Sequence, residues 1–276
     1  MTPTDSSRRI GLARALSKLG YCSRSRAFDL IRAGRVGLNG RICHDPEAPV
    51  RSEHDRIEVD GQELTARAKV YLMLNKPRGV VSTASDEQGR ETVYGYLDED
   101  LPWVAPVGRL DKASEGLLLL TNDSEWAACV LAPETHVDKI YHVQISAVAD
   151  AALLESIIKG VRTDDNSFLR AKGVQILRGG EKNTWLEIVL DEGKNRHIRR
   201  MLAKLGISVL RLLRVAIGSL RLGDLPKGAA RALTDGEKHA LDQAMRQPSS
   251  LRVAHRRQTS GLVRNGRPRR TRGQSS

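Results

Sequence analysis

The chain is poor in the residues that several common chemistries need. Phe, Trp and Tyr make up 4% of its 276 residues, thin provision for a sugar-binding cleft lined with stacked rings. Cys22, Cys43 and Cys129 are odd in number, far apart and form no Cys-x-x-Cys pair. They imply neither a disulfide framework nor a zinc site. The seven histidines show no His-x-x-x-His spacing, and no metal is expected. No apolar run approaches the roughly 18 residues of a membrane helix. The stretch Met1 to Arg9 is polar and carries no signal-peptide core. A cytoplasmic protein without a membrane partner is the expectation.

What remains is ordinary for a globular protein: 40% hydrophobic and 28% charged residues. The length is sufficient for two domains and a sizeable core. The net charge of +12 is uneven, because residues 251 to 276 hold eight arginines and no acidic residue. That tail has almost nothing to bury and is expected to be a disordered, polyanion-binding segment over 247–276. The body carries the remaining, modest excess, so a basic surface there must come from clustering.

Residues 10 to 61 form a separate small module. Leu12, Leu16 and Leu19 recur at helical spacing before Gly20, and Ser23 can cap a second helix with Ala27, Leu30 and Ile31 inward and Gly34 at its end. Asn39-Gly40 and Asp60-Gly61 each join short strands as hairpin turns. Arg24, Arg26, Arg32, Arg35 and Arg41 gather on the exposed side, a pattern that favours nucleic acid. From Leu12-x-x-x-Leu16 through Ser23-Arg24-Ser25-Arg26-Ala27 and Leu38-Asn39-Gly40 to Ile57-x-Val59-Asp60-Gly61, the module resembles the S4 RNA-binding domain.

A polar connection over 62–69 leads into alternating strands and helices, read as one unit over 70–246. Strands are predicted at Val70–Leu74, Val80–Ser82, Leu117–Leu120, Asp138–Ile145 and Leu186–Leu190. Helices are predicted at Trp126–Leu131 and Asn195–Leu205, with a last one opening on a capping box at Thr234–Glu237. On the 195–205 helix, Ile198, Met201, Leu202 and Leu205 share one face. Arg196, Arg200 and Lys204 lie opposite, toward solvent or phosphate. Arg199 sits at the boundary, about 100° from Ile198, where its guanidinium can turn toward a buried carboxylate.

The chain is organised around Gly108-Arg109-Leu110-Asp111, followed by Lys112-Ala113-Ser114-Glu115-Gly116 and four leucines. The leucines read as a strand buried on both faces, so Asp111 sits on a short loop against a rigid element. An Asp in such a loop is by itself an ordinary turn residue. Its meaning comes from company. Gly108-Arg109-Leu110-Asp111, Lys139-x-Tyr141-x-Val143, Glu192-Gly193-Lys194-Asn195-Arg196-His197-Ile198-Arg199-Arg200-Met201 and Asn75-Lys76-Pro77-x-Gly79 together resemble ribosomal RNA pseudouridine synthases of the RsuA/RluB/RluE/RluF type.

That resemblance implies an α+β protein: an S4 domain, then a catalytic domain with a mixed, largely antiparallel sheet and flanking helices. It implies isomerisation of uridine to pseudouridine in ribosomal RNA by base flipping, with no cofactor. Asp111 would be the catalytic carboxylate, Tyr141 would stack on the flipped uracil, and Arg199 would pair with Asp111. Arg109, Arg24, Arg26, Arg35, Lys76, Arg196, Arg200 and Lys204 would contact RNA. The partner would be ribosomal RNA or a ribosome-assembly intermediate, met by a monomer. Two rivals stand beside this reading. A non-catalytic S4-containing RNA-binding or ribosome-assembly factor explains the basic surfaces but not Asp111, Tyr141 and Arg199 together. A glycoside hydrolase would use Asp111 with Glu115 as paired carboxylates.

Overall fold

Two short helices and two tight hairpins come first in the computed structural model, which describes residues 9–51, 54–83 and 88–246. The arginine tail expected at 247–276 lies outside the described residues. Helix α1 (Leu12–Lys18) buries Leu12, Ala13, Ala15 and Leu16. Helix α2 (Arg24–Arg32) starts at Ser23, whose side chain accepts a hydrogen bond from the Arg26 N–H, and buries Ala27, Leu30 and Ile31. Strands β1 (Val36–Leu38) and β2 (Arg41–Ile42) close across Asn39-Gly40, and β3 (Ile57–Val59) and β4 (Gln62–Glu63) close across Asp60-Gly61. Both turns hold two successive left-handed residues, φ 52° and 78° in one and 51° and 78° in the other. This is the hairpin turn whose twist matches the strands, and it explains Asn-Gly and Asp-Gly there.

The four strands form one sheet in the order β2-β1-β3-β4. Since Gln62–Glu63 pairs with Glu58 and Val59, the connection read over 62–69 starts two residues later. It is tied down at its far end, where the Arg67 N–H donates to the Leu19 carbonyl and Asn122 bonds both the Ala68 carbonyl and the Val70 N–H.

The larger unit is built on strands β5 (Tyr71–Lys76), β6 (Glu115–Thr121), β7 (Lys139–Ile145), β8 (Gly173–Gly179), β9 (Thr184–Leu190), β10 (Val209–Ile217) and β11 (Ala230–Ala232). Its helices are α3 (Ser124–Leu131), α4 (Ala151–Lys159), α5 (His197–Lys204) and α6 (Asp235–Arg246). The strands run β8-β9-β7-β10-β6-β5-β11, and Ala105–Pro106 and Leu220–Arg221 attach to make a nine-stranded sheet. All pairings are antiparallel except β6 with β10. The chain is α+β, with the small hairpin-and-helix module first.

Strand β6 is the axis of this sheet, with all seven residues buried. Leu117 and Leu119 pack with Trp126, Val130 and Leu241 from α3 and α6, while Leu118 and Leu120 pack on the other face with Leu72, Leu74 and Leu110. Each leucine contributes about 1.5–3 kcal/mol relative to an exposed position, so β6 holds the strand rigid where the loop before it ends. Gly116 lets β10 lie alongside. It has φ +102°, and a Cβ there would sit 2.3 Å from the Arg214 carbonyl oxygen. No other residue fits that approach.

On β7, Val143 and Ile145 enter the cluster formed with Leu186, Ile188, Ile198 and Met201, and Ile140 packs on the opposite face with Val189 and Ala216. The α6 capping box is present: the Glu237 N–H donates to the Thr234 hydroxyl oxygen and the Thr234 N–H donates to the Glu237 carboxylate. One predicted strand is absent. Val80-Val81-Ser82 makes only an isolated bridge, Val81 to Thr92, because Gly79 at φ +99° turns the chain off the sheet. Val80 then joins the core below the Asp111 loop, in the cluster with Leu110.

Candidate active site

The loop between Val107 and Glu115 is held by its own backbone oxygens. The Leu110 carbonyl accepts from the Ser82 hydroxyl at 3.0 Å, and the Asp111 carbonyl accepts from the Ser114 N–H at 2.9 Å and from Lys76 Nζ at 3.3 Å. The Lys112 carbonyl accepts from the Gly79 N–H at 2.7 Å. The Ala113 carbonyl accepts from Arg199 at 3.1 Å, and the Ser114 carbonyl accepts from Lys76 at 2.8 Å. Five consecutive carbonyls, 110 to 114, are therefore anchored, chiefly to two separate segments, 76–82 and helix α5. A loop fixed this way presents its side chains in one orientation.

Lys76 is the centre of that anchoring. It is 0% exposed, and its ammonium donates to the Pro77, Asp111 and Ser114 carbonyls. Burial pulls its pKa down to about 8, against the opposing pull of Asp111 and Glu115. Its expected role as an RNA contact is corrected here, since a fully buried amine cannot meet a phosphate. The Lys-Pro-x-Gly segment was the signal: Lys76 and the Gly79 N–H grip one loop from one side.

The Asp111 carboxylate is the group left facing out. Its side chain is 29% exposed, with Arg196 and Arg199 each placing a nitrogen 3.9 Å from Oδ2. Arg199 is only 14% exposed and Arg196 is 53% exposed. The approach of Arg199 to Asp111 is long, and the guanidinium also donates to the Ala113 and Val209 carbonyls. Burial lowers the Arg199 pKa and the Asp111 charge opposes this. Arg196 is brought there by a left-handed backbone, φ 47°, at the cap of α5. His197 behind it is buried 3.7 Å from Glu192, and burial lowers its pKa while Glu192 works the other way. A cleft of about 430 Å³ opens over the carboxylate, lined by Ser82, Arg109, Asp111, Lys112, Asn195 and Arg196 among others.

Tyr141 lies on β7 beneath this region, part-buried. It packs against both the cluster holding Leu110 and the cluster holding Ile198 and Met201. Its cross-strand neighbour on β10 is Arg214, which in turn pairs with Gly116 on β6. Glu115 is the second carboxylate that the rival glycosidase reading would need. It is buried and held by Arg211 at 2.8 Å and Lys227 at 3.5 Å. Strand alternation sends it to the Leu117 and Leu119 face, away from Leu118 and the Leu110 cluster. With its carboxylate buried and engaged by two cations, Glu115 is not available as the second carboxylate of a glycosidase pair.

The remaining basic residues divide. Arg24 and Arg26 are exposed on α2, and Arg109 is exposed beside Asp111 at the cleft. Arg35 is bound in a two-point pair with Asp60, at 2.9 and 2.5 Å. On α5, Arg200 is paired with Asp165 at 2.5 Å and Lys204 with Asp164 at 2.5 Å. The outer face of α5 is therefore already neutralised by the turn between Val161–Arg162 and Phe168–Leu169, a hairpin with no clear periodicity in the sequence. Arg35, Arg200 and Lys204, expected to meet phosphate, are thus each ion-paired with a carboxylate in the free protein. Among the described residues, no three His, Cys, Asp or Glu side chains gather as a metal site would require.

Residues 70–204 match the family model described as RNA pseudouridylate synthase, and residues 10–57 match that of the S4 domain. Ribosomal large subunit pseudouridine synthase B of Bacillus subtilis (strain 168) is 34% identical over 231 residues, 83% of this chain and 94% of that protein. An uncharacterized RNA pseudouridine synthase of Aquifex aeolicus (strain VF5) is 36% identical over 237 residues, covering 86% and 95%. A solved pseudouridylate synthase structure superposes with a TM-score of 0.59 at 29% identity, over 84% of this chain and 99% of that one. With an anchored Asp loop on a mixed sheet behind an S4 module, the chain belongs to the RNA pseudouridine synthases of the RsuA/RluB/RluE/RluF type, enzymes that isomerise uridine to pseudouridine.

Proposed function

We propose that this pseudouridine synthase acts on ribosomal RNA and that Asp111 carries the reaction. The observation behind the assignment is the run of five anchored carbonyls, 110 to 114, which leaves one carboxylate free in a cleft between two guanidinium groups. The ribosomal substrate rests on the name of the Bacillus relative. In the isomerisation the N1–C1′ bond breaks, the uracil turns, C5 bonds to C1′, and the C5 proton is replaced by one on N1. A carboxylate serves this either by bonding to C1′ or by removing a sugar proton to give a glycal. Arg199 and Arg196 orient Asp111 electrostatically. The base leaves its stack first, at roughly a few kcal/mol, and Arg109 at the cleft is the contact to the vacated strand.

The S4 module, residues 10–61, presents Arg24 and Arg26 to the RNA fold, and the catalytic domain spans 70–246. The enzyme works as a monomer in the cytoplasm where ribosomal RNA is made, since one chain supplies Asp111 and every group that anchors its loop. An assembly factor without catalysis gives no reason for a buried lysine to organise a carboxylate loop. Incubation with ribosomal RNA followed by carbodiimide-stop primer extension tests the reading. A new stop at one uridine is expected, and its absence would remove the ribosomal substrate.

Four variants probe Tyr141, which would stack on the flipped uracil, and the paired cations of α5. Tyr141→Phe keeps the ring and loses the hydroxyl, so uracil binding should survive, whereas Tyr141→Ala should lose it. Equal loss of binding in both, read by KM on the same RNA, would move the tyrosine from stacking to hydroxyl chemistry. Arg200→Ala and Lys204→Ala should change RNA affinity by less than about twofold and leave the salt slope of log K unaltered, because their charges are already paired. A slope reduced by about 0.7 per residue in a salt titration would restore them as phosphate contacts.

A further inference from the structure

The face of the sheet opposite Tyr141 carries an ordered row of side chains that catalysis does not use. Arg178 on β8 pairs across the strands with Trp185 on β9, Trp185 pairs with Gln144 on β7, and Gln144 pairs with Arg211 on β10. Register therefore fixes the sequence Arg–Trp–Gln–Arg across four adjacent strands. Both guanidinium groups lie over the indole, Arg178 at 5.1 Å and Arg211 at 5.6 Å from the ring centre. A cavity of about 380 Å³ opens there, lined by His142, Leu177, Arg178, Trp185, Arg211 and Leu213. The helices that bury the Tyr141 face pack on the other side, with Ile157 and Ile198 in the cluster that contains Val143.

We propose that this row is a second RNA contact, a platform for a short unpaired stretch of the substrate outside the catalytic cleft. The proposal rests on RNA being the substrate. Its chemistry is that of single-strand binding on a sheet: a ring and guanidinium planes for base faces, fixed cations for phosphates, and an amide for base edges. Arg178 has no carboxylate partner among the described residues. The acids nearby are engaged: Glu187 with His142 and Gln175, and Glu115 with Arg211 and Lys227. A protein partner fits less well, since Leu177 is the one exposed large aliphatic side chain among the residues lining the cavity, with Trp185 and Leu213 part-buried. Arg211 joins the platform to the strand that begins at Glu115, so RNA held there is held to the element behind Asp111.

The test uses the full-length enzyme with Trp185→Ala, Trp185→Phe and Arg178→Glu, leaving Arg211 intact because it secures Glu115. Pseudouridine formation is measured on whole ribosomal RNA and on a minimal hairpin carrying the target uridine, with tryptophan emission titrated against poly(U). On whole RNA, KM should rise about fivefold to tenfold for Trp185→Ala and Arg178→Glu with kcat unaltered. On the hairpin neither constant should move. Poly(U) should quench emission in the parent protein and not in Trp185→Phe. Unchanged KM on whole RNA with identical quenching in both proteins would overturn the platform. So would a kcat loss on the hairpin, which would mark Trp185 as structural. A defect confined to protein-containing assembly particles would overturn it in favour of a protein partner. Failure of the parent enzyme to modify ribosomal RNA would instead remove the substrate assignment, and the poly(U) titration would still judge the platform.

Discussion

Replacing Asp111 by Asn should abolish pseudouridine formation, a loss of at least about 10⁴-fold in single-turnover rate, while RNA binding persists. Asn has the shape of Asp but is neither a nucleophile toward C1′ nor a base for a sugar proton. The loop should keep its place, because it is anchored through the backbone oxygens of residues 110 to 114 and not through the carboxylate. Thermal stability should therefore move little. Affinity should hold or tighten slightly, since phosphate contacts dominate it and Arg196 and Arg199 lose the negative charge 3.9 Å away. Carbodiimide mapping under single turnover, with filter binding in parallel, reads both quantities. Turnover within tenfold of the parent by the Asn variant would remove Asp111 from the chemistry.

The second large effect is expected at Lys76, a residue that touches no substrate. Lys76→Met strips the donor from the Pro77, Asp111 and Ser114 carbonyls. The Asp111 carbonyl keeps the Ser114 N–H, and each of the other two buried acceptors costs about 1–3 kcal/mol, offset in part by the removal of a charge that burial disfavours. A net destabilisation of about 2 kcal/mol is expected. Turnover should fall at least a hundredfold by order of magnitude, because a displacement of about 1 Å at the carboxylate is enough for that. The parent enzyme should show the same dependence through pH. Above a pKa of about 8, the amine has two donors left for three carbonyls, so turnover should decline from about pH 8 upward. Stability runs the other way. The folded pKa lies below the ordinary lysine value, so between them the unfolded chain binds more protons, and the Lys76 contribution to stability rises with pH across that window. A rate profile from pH 7 to 9.5 beside denaturant midpoints separates the two. Rate and stability falling together would attribute the alkaline limb to unfolding.

Local pattern alone determined much of this protein. The glycines of Asn39-Gly40 and Asp60-Gly61 imply hairpin turns with two left-handed residues, and both occur. Four successive leucines imply a strand buried on both faces, and β6 is one. The Thr234–Glu237 box and the apolar face of α5 were likewise visible, because caps and periodicities involve residues close in the chain. The loop motif around Asp111, with Tyr141 and Arg199, was named as a set through its resemblance to the pseudouridine synthases.

Tertiary structure alone decided what each of those cations does. Sequence assigns charge but not its neighbours, and pairing depends on residues distant along the chain: Arg200 with Asp165, Lys204 with Asp164, and Arg211 with Glu115. Charges that pattern would pool as one RNA-binding surface therefore split into free, paired and buried groups. Lys76 shows the limit most clearly. Nothing in Asn75-Lys76-Pro77 says whether the ammonium points to water or to the protein. That is decided where β5 lies against β6, Lys76 opposite Gly116, and the loop from 110 to 114 folds back over the strand end with its carbonyls aimed at the buried amine. The row from Arg178 to Arg211 is of the same kind, four residues from four strands made neighbours by register and by nothing in their order along the chain.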